Sequence, residues 1–580
     1  MKLFSELLRF CNKNYTLGGI HRAEQRIVAI LKPSDWFIVG IFFFITILGA
    51  GILFAGASSG ISEKVPVRGG THTEGVIGSP RFINPLLSLS ETDKDITLLV
   101  FGGLMRAHSD GSLNPYLAAN YEISPDGLVY TFTMKDDIKF HDGHPIDAED
   151  VVFTVQYAQN PDIKSPRRAN WEGVTVQALD EKTVQFMLRE PYGLFLENTT
   201  LGILPKHLWE DITPEEFPFS DLNTDPVGSG PYRVDTIKKN TSGVASMYRL
   251  TAAGTTADMP YITTLNFRFY PNQQTLTDAL LNGTIDAAHS ISFNVNEKVK
   301  NEHVVKEAIF SRVFGIFFNQ NQQDLFTDEI VRIALDSALD KQLIIDTVLN
   351  GYGTPLSGPL PPQEVLDNEM VQSENDRIAQ ARELLAEYGW QPGEDGVLEK
   401  GSDEKKRLSF TVTTGNAPEL KTAAEAVAQT WRELGAEVRL EFFDHNDLNL
   451  EVIRPRSYDA LLFGLVVGRE PDLFAFWHSS QRNDPGLNIA LYANITADKL
   501  LESARSTLDP EDRRTIALDA AEEIARETAA IFLYAPHFTY VHEPTLNGVT
   551  IGAISTPSDR FAGIEDWYVH TESVWPFFRN

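Results

Sequence analysis

The sequence predicts an α/β protein of two or three domains, from its length, composition and pattern. A chain of 580 residues is too long to fold around one hydrophobic core. Hydrophobic residues make up 42% of it and charged residues 22%, which is typical of globular proteins. From residue 327 onward, helical periodicity alternates with short strand-like runs, and this alternation indicates an α/β layered arrangement.

The charge and the cysteine content exclude several kinds of function. The formal net charge is −30 at pH 7, which argues against a nucleic-acid partner, because such a partner would need a basic face. Cys11 is the single cysteine, which excludes an intrachain disulfide and a cysteine-rich zinc site. The sequence contains no P-loop, no dinucleotide-binding glycine motif and no H-E-x-x-H zinc motif, which argues against the enzymes that need them.

One stretch predicts a turn, a strand, a second turn and a helix in that order. After a PDG turn, residues 128–134 alternate and are rich in β-branched and aromatic side chains, as in a half-buried strand. The sequence FHDG at 140–143 forms the second turn. Residues 145–156 follow as a helix, with Asp147 as its N-cap and two acids in the first turn, where the helix dipole favours them.

This strand, its FHDG turn and the AEDV helix together resemble the signature of the solute-binding proteins of peptide/nickel-type ABC importers, family 5 of the bacterial solute-binding proteins. The resemblance extends over roughly residues 70–580, and the ordered set of fragments is more specific than any one of them. Those fragments are LNPYLA at 113–118, ILPKHL at 203–208, VGSGPY at 227–232, GYGTP at 351–355 and ARELL at 381–385.

The resemblance implies a two-lobed type II periplasmic-binding-protein fold with the solute in a cleft between the lobes. Lobe one would comprise residues 70–311 and 532–580, and lobe two residues 312–531. Within lobe one, residues 99–201 would form the extra subdomain of this family. The two chain crossings between the lobes would act as a hinge.

The remaining elements follow from hydrophobic periodicity. Strands are predicted at 261–271, 408–413, 437–443, 458–467 and 530–536, and pairs of strands at 171–188 and 303–319. Helices are predicted at 96–104, 275–281, 327–350, 374–388, 420–434, 497–506 and 510–528. Residues 393–406 predict an exposed hairpin or loop.

The N-terminal part predicts a membrane anchor at 36–57, between a cytoplasmic segment at 1–35 and a flexible tether at 58–69. No charged residue lies between positions 36 and 57, and about 20 apolar helical residues cross a bilayer core. The apolar run is longer than the ~7–15 residues of a signal-peptide core, although AGA at 55–57 leaves cleavage open. Basic residues precede it, so the globular part is expected outside the cell membrane. The anchor would replace the lipid that the resemblance implies, since no cysteine follows it.

Two motifs that resemble a catalytic or metal-binding site have a structural explanation. GSGP at 228–231 lacks the spacing of a nucleophile elbow and is a structural turn in the family it resembles. His141 and His144 flank Asp142, but no further metal ligand lies near them in the sequence. We therefore predict no catalytic residue, no metal and no cofactor.

The resemblance also implies which residues bind the solute. The segment 458–472 resembles the strand and cleft loop of the family, and parts of 79–82 and 534–537 match segments that border the cleft. The expected ligand-binding residues are Ser79, Phe82, Phe463, Gly464, Leu465, Val466, Val467, Arg469, Tyr534 and His537. Two alternatives remain open: residues 465–467 could only pack the core, and Arg469 could be an ordinary surface arginine.

The cleft loop departs from the pattern of peptide-binding relatives, which place an aspartate there for the peptide's α-amine. The matching position falls at Gly468 or Val467, and neither can pair with an amine. Either Glu470 or Asp472 replaces the missing carboxylate, or the solute has no free amine at this place. We expect the second, because both acids match a turn that would hold them, and we expect an acidic group of the solute near Arg469.

The sequence thus predicts a monomeric, membrane-anchored, extracytoplasmic solute-binding protein rather than an enzyme. It would capture a peptide or similar small solute and pass it to ABC permease subunits. The alternative is a membrane-anchored receptor or surface chaperone that kept the fold without transport, because a fold alone does not determine function.

Overall fold

The computed structural model describes residues 37, 40–49, 63–253, 259–289, 291, 297–362, 374–402 and 405–575. The chain divides into two compact units, one formed by residues up to Val67 together with those from His570, and one running from Arg68 to Val569. The predicted cytoplasmic segment 1–35 lies outside the described residues.

The strands are β1 (Glu63–Val67), β2 (Thr71–Ile77), β3 (Met105–Ala107), β4 (Leu113–Pro115), β5 (Ala118–Ile123), β6 (Val129–Met134), β7 (Thr175–Ala178), β8 (Thr183–Met187), β9 (Tyr232–Lys239), β10 (Ala245–Ala252), β11 (Thr264–Tyr270), β12 (Ala287–His289), β13 (Val304–Ile309), β14 (Arg312–Phe318), β15 (Gly353–Pro355), β16 (Trp390–Pro392), β17 (Leu398–Lys400), β18 (Lys406–Arg407), β19 (Ser409–Gly415), β20 (Glu437–Phe443), β21 (Ala460–Val466), β22 (Ala530–His542) and β23 (His570–Val574).

The helices are α1 (Glu91–Val100), α2 (Ala148–Gln159), α3 (Arg168–Trp171), α4 (Phe195–Asn198), α5 (Lys206–Trp209), α6 (Gln273–Leu281), α7 (Glu297–Glu302), α8 (Glu329–Ser337), α9 (Lys341–Leu349), α10 (Glu374–Glu387), α11 (Pro418–Leu434), α12 (His445–Asp447), α13 (Phe474–Trp477), α14 (Ile495–Ser506) and α15 (Pro510–Arg526).

In the smaller unit, β1 and β23 form a two-stranded antiparallel sheet, with Val65 opposite Glu572. A strand therefore lies inside the segment that the sequence predicts to be a flexible tether. Of the predicted anchor, residues 37 and 40–49 are described and are helical. Within the described part of the chain, no helix combines the length and the apolar character that a membrane crossing needs. The rest of the predicted anchor lies outside the described residues.

The larger unit is built on a sheet that has twelve strands among the described residues. Its main path runs β20-β19-β21-β14-β22-β12-β2-β11-β10-β9, and β13 and β15 also pair with β22. The long strand β22 changes partners along its length, because Ala530 to Tyr534 pair with β14 and His537 to His542 pair with β13. This single strand therefore connects the two ends of the sheet.

The two lobes have separate hydrophobic cores. The core of lobe one takes its residues from 76–310 and 538–567. The core of lobe two takes its buried residues from 313–535. The α/β two-lobed architecture is confirmed, and we use these two names below.

The stretch that predicts turn, strand, turn and helix forms as expected. It gives β6, which lies in an antiparallel sheet of order β5-β6-β8-β7, and then α2. The Asp147 side chain accepts hydrogen bonds from the backbone N–H groups of Glu149 and Asp150 and so caps α2. The prediction of this N-cap is therefore confirmed.

Other boundaries differ for physical reasons. Helix α1 begins at Glu91 rather than at residue 96, since Ser90 and Asp93 form a capping box that precedes the apolar run. The predicted helix at 327–350 is two helices, because the Asp340 side chain accepts from Leu343 N and starts α9. Strands β9 and β10 lie in a region where the sequence analysis predicted no element.

Candidate functional site

Two turns from distant parts of the chain bind each other next to the site. The His141 N–H of the FHDG turn donates to the Gly228 carbonyl at 2.8 Å, and its Nε2 lies 3.0 Å from the Gly230 carbonyl oxygen. Gly230 N donates to Val100 O at 2.7 Å, and a Cβ on Gly228 would lie 2.1 Å from that oxygen. The GSGP turn is therefore a structural support for the end of α1.

A cavity of about 470 Å³ lies beyond this support, between the lobes. Its lobe-one wall comes mainly from segments within 85–107, 167–171, 192–202 and 555–562, and its lobe-two wall from 467–472. Cavities of ~300–1,000 Å³ are typical of small-molecule sites. The arrangement can therefore enclose a small solute between two bodies.

Arg469 crosses from lobe two to lobe one at this cavity. Its Nη2 lies 3.0 Å from Asp559 Oδ1, and its Nη1 lies 3.4 Å from Glu197 Oε2. Its side chain is 14% exposed, so solvent screens these charge-assisted contacts less than it would at the surface. The lobes also meet through the backbone, where Gly193 N donates to Arg505 O at 2.7 Å.

Asp559 is held rigidly by its own backbone neighbours. Its Oδ2 accepts hydrogen bonds from Ser555 N and Thr556 N, both at 2.8 Å, which leaves Oδ1 for Arg469. Thr556 is the N-cap of the 3₁₀ turn Pro557–Phe561, which contains Asp559. The carboxylate is therefore positioned before any solute binds.

The next residue, Arg560, ties this turn to the interior of lobe one. Its fully buried guanidinium contacts Asp95 Oδ2 at 2.7 Å and Glu74 Oε1 at 3.0 Å. Burial alone would raise the pKa of Glu74, but the charge of Arg560 and the hydrogen bond from His72 outweigh it and lower that pKa to about 2. This network of ionised side chains holds the Pro557–Phe561 turn of the lobe-one wall against the interior of lobe one.

The two acids of the cleft loop are already paired. Glu470 Oε2 lies 3.3 Å from Arg513 Nη2, and Asp472 Oδ2 lies 2.9 Å from Arg505 Nη2. Both arginines belong to lobe two, where Arg505 lies on α14 and Arg513 lies on α15. These two acids of the lobe-two wall are thus neutralised within their own lobe, whereas Arg469 of the same wall pairs with lobe one.

Glu197 is an acidic residue of the wall that the sequence analysis missed. It lies on α4, whose Phe195 packs against Tyr130 with ring centroids 4.7 Å apart. Burial raises the pKa of Glu197, Arg469 lowers it, and Glu470 and Asp559 raise it further, with a raised pKa as the result. No local pattern marked Glu197 or Asp559, apart from the T-x-x-D capping signal at 556–559.

Two of the ten expected ligand-binding residues, Val467 and Arg469, line the cavity. Val467 is 7% exposed, and its N–H donates to Ser311 O at 2.9 Å. Val467 therefore both packs the core of lobe two and borders the cavity.

The other expected residues in lobe two lie in its sheet. Leu465 is buried in the lobe-two core, Phe463 packs against that core, and Val466 is 47% exposed. Tyr534 is buried and stacks on Phe314, whose ring also leaves no room for a Cβ on Gly464.

The remaining three expected residues have partners of their own. Ser79 Oγ donates to Ala245 O at 3.0 Å, and Phe82 packs against the lobe-one core. His537 Nε2 lies 2.8 Å from Thr354 Oγ1, near the place where β22 changes partners. The cavity lining does not include these three residues.

Three cations on the lobe-one wall, Lys94, Arg106 and Arg167, were also missed from the sequence. Arg106 forms an ion pair with Glu565 and stacks on Tyr116, with its guanidinium carbon 4.9 Å from the ring centroid. A signal for these cations was lacking because they come from separate elements with no shared motif.

The histidines considered for a metal site are engaged otherwise. His207 Nε2 lies 2.8 Å from Asp142 Oδ2, and the His144 and His207 rings are stacked with centroids 3.9 Å apart. Among the residues that the structure describes, no three His, Cys, Asp or Glu side chains are grouped as metal ligands.

Known proteins agree with this arrangement. The family model "Bacterial extracellular solute-binding proteins, family 5 Middle" matches residues 112–486, more than half of the chain. The oligopeptide-binding protein AppA of Bacillus subtilis is 27% identical over 563 residues, which cover 94% of this chain and 99% of AppA.

Solved structures give the same result. AppA in complex with a nonapeptide superposes with a TM-score of 0.66 at 27% identity, covering 87% of this chain and 100% of AppA. The ABC transporter substrate-binding protein CtaP of Listeria monocytogenes gives 0.71 at 27% identity and covers 87% of this chain and 100% of its own. NikZ of Campylobacter jejuni in complex with Ni(L-His) gives 0.66 at 26% identity, with 86% and 99% covered. With a family match of this extent and a cavity between two lobes, the chain belongs to family 5 of the bacterial extracellular solute-binding proteins.

Proposed function

We propose that this protein captures a peptide or similar small solute in the interlobe cavity and delivers it to the permease of an ABC importer. The observation that carries the proposal is the cavity of about 470 Å³ whose two walls belong to different lobes and are joined by Arg469. Members of the family are substrate-binding proteins and not enzymes, so delivery requires binding and release only.

The proposed cycle depends on closure of the lobes around the solute. A solute drives closure only when it binds the closed form more tightly than the open form, and a cavity formed by both lobes meets that condition. We place one hinge crossing at residue 311, between β13 and β14. The other was expected at residue 532, and the change of partners along β22 supports a place between Tyr534 and His537. Lobe two is then 312–531 extended by a few residues, and residues 99–201 are the extra subdomain of lobe one.

We also propose that the solute presents no free amine to the cleft loop. The positions that carry an acid in peptide-binding relatives are Val467 and Gly468 here. Pairing of Glu470 and Asp472 with arginines of their own lobe supports this, because an acid held by an arginine is not available for an ammonium group.

The globular part is proposed to act outside the cell membrane as a monomer, held by an N-terminal anchor at residues 36–57. The length of the uncharged apolar run and the basic residues before it support this placement. An intact-mass measurement on protein extracted from membranes tests the anchor. A mature N-terminus at Ser58 would contradict it.

The binding function is tested by recovering the solute. The full-length chain is purified from its own host, denatured, and the released small molecules are identified by mass spectrometry and titrated back by calorimetry. Small-angle scattering should then give a smaller radius of gyration in the loaded form than in the emptied form. A chain that carries no solute and binds none of the candidate peptides would overturn the proposal.

A further inference from the structure

Two cations on the lobe-one wall of the cavity have no acidic partner in the part of the chain that the structure describes. Lys94 lies on α1, and Arg167 immediately precedes α3. Among the described residues, no Asp or Glu oxygen lies within 4.0 Å of the charged nitrogens of either side chain. The other cations that line the cavity differ in this respect, since Arg106 of lobe one pairs with Glu565 and Arg469 of lobe two pairs with Asp559 and Glu197.

The surroundings of this pair are unfavourable for two positive charges. Burial lowers the pKa of Arg167, and burial followed by the charge of Arg167 lowers the pKa of Lys94. Glu91 and Asp559 oppose this only from beyond ion-pair distance, and Arg312 adds to the repulsion. Both oxygens of Asp559 are already engaged, with Arg469 and with backbone N–H groups, so this carboxylate does not neutralise Lys94. A bound anion would remove the repulsion.

A hydroxyl group lies on the same helix face. Thr97 follows Lys94 by three residues on α1, lines the cavity and is 8% exposed. Within the described part of the chain, its Oγ1 has no hydrogen-bond partner, which is unusual for a buried hydroxyl. An anion at Lys94 would give this hydroxyl an acceptor.

We propose that Lys94 and Arg167 bind an anionic oxygen-bearing group of the solute, a carboxylate in a peptide. This assignment rests on the proposed solute-binding function. It differs from the expectation from sequence, which placed the acidic group of the solute near Arg469. Arg469 joins the lobes instead, while Lys94 and Arg167 select the anion. The cavity thus discriminates by charge on the lobe-one side.

The test uses the full-length chain and four trialanine peptides, with a free or acetylated N-terminus combined with a free or amidated C-terminus. In calorimetric titration, the free carboxylate should strengthen binding at least tenfold over the amide. Lys94→Gln and Arg167→Gln should each abolish this preference, and Lys94→Arg should keep it. Arg168→Gln is the matched control, because Arg168 is an exposed cation next in sequence that does not line the cavity. Binding without a carboxylate preference, or a preference that survives both glutamine variants, overturns the assignment and leaves the binding function intact.

If none of the four peptides binds, that result counts against a peptide as the solute. A second measurement then tests the anion site without a peptide. Thermal unfolding is followed in sodium phosphate and in sodium chloride at equal ionic strength. Phosphate should raise the Tm of the unmodified chain and of Arg168→Gln above the value in chloride, and should not do so for Lys94→Gln or Arg167→Gln. An equal response of all four proteins means that phosphate acts non-specifically, and it overturns the anion site.

Discussion

The two walls of the cavity differ in how their charged side chains are paired. On the lobe-two wall, Glu470 and Asp472 are each paired with an arginine of that lobe. On the lobe-one wall, Asp559 pairs with Arg469 of the other lobe, and Lys94 and Arg167 lack an acidic partner among the described residues. Acids that are already paired offer a solute no free charge, whereas unpaired cations can bind an anion. We therefore expect lobe one to carry most of the electrostatic choice of solute.

The largest expected effect comes from breaking the support beneath the lobe-one wall. Arg560→Met leaves Glu74 and Asp95 buried without their cation, and it should lower the free energy of unfolding by about 3–5 kcal/mol. Urea denaturation of the full-length chain measures it. Arg454→Met is the control, because the exposed Arg454–Asp484 pair should contribute at most about 1 kcal/mol. An equal loss of unfolding free energy in both variants would mean that the buried network stabilises the fold no more than an exposed ion pair does.

Removing the connection between the walls should have the next largest effect. Arg469→Gln loses the contacts to Asp559 and Glu197 and should favour the open form, with a tenfold or greater weakening of solute binding, about 1.4 kcal/mol. Small-angle scattering of the solute-free variant should give a larger radius of gyration than the unmodified chain. An unchanged radius together with unchanged affinity would show that Arg469 does not hold the lobes together.

A smaller effect is expected from pH at Glu197. Burial raises the pKa of this carboxyl in the folded protein, whereas the unfolded chain keeps the ordinary value. The folded state then binds a proton more tightly, so the contribution of Glu197 to the free energy of unfolding should increase as the pH falls from neutral towards that raised pKa. The free energy of unfolding of the unmodified chain minus that of Glu197→Gln isolates the contribution, and this difference should increase as the pH falls from 7 to 5. A difference that decreases as the pH falls would contradict the prediction.

The smallest expected effect is on the lobe-two acids. With acetylated and free-amine peptides of the same sequence, the affinities should agree within a few-fold, and Glu470→Gln or Asp472→Asn should not change their ratio. The reason is that both carboxylates already pair with Arg513 and Arg505. A tenfold preference for the free amine that either variant abolishes would show that a displaced carboxylate serves the amine after all.

The elements that the sequence predicted well are those with local causes. Strand β6 and helix α2 follow from alternation, a turn and the Asp147 cap, all within a short window. The end of β22 was placed at residue 536 instead of His542, because its second half is stabilised by pairing with β12 and β13, which are distant in sequence. For the site, Val467 and Arg469 were named from the resemblance and line the cavity, while Lys94, Arg167, Glu197 and Asp559 were not found.

The sequence by itself determined the family, the α/β class, the Asp147 cap and many of the helices and strands, because these depend on hydrophobic periods and on hydrogen bonds between near neighbours. Only the tertiary structure decided which charges meet. Arg469 is 272 residues from Glu197 and 90 residues from Asp559 along the chain, and no local pattern relates them. Whether a cation is paired or unbalanced depends on distances that folding sets, and on burial, which strengthens every charge interaction by removing water. Selectivity in this cavity is therefore a property of the folded lobes.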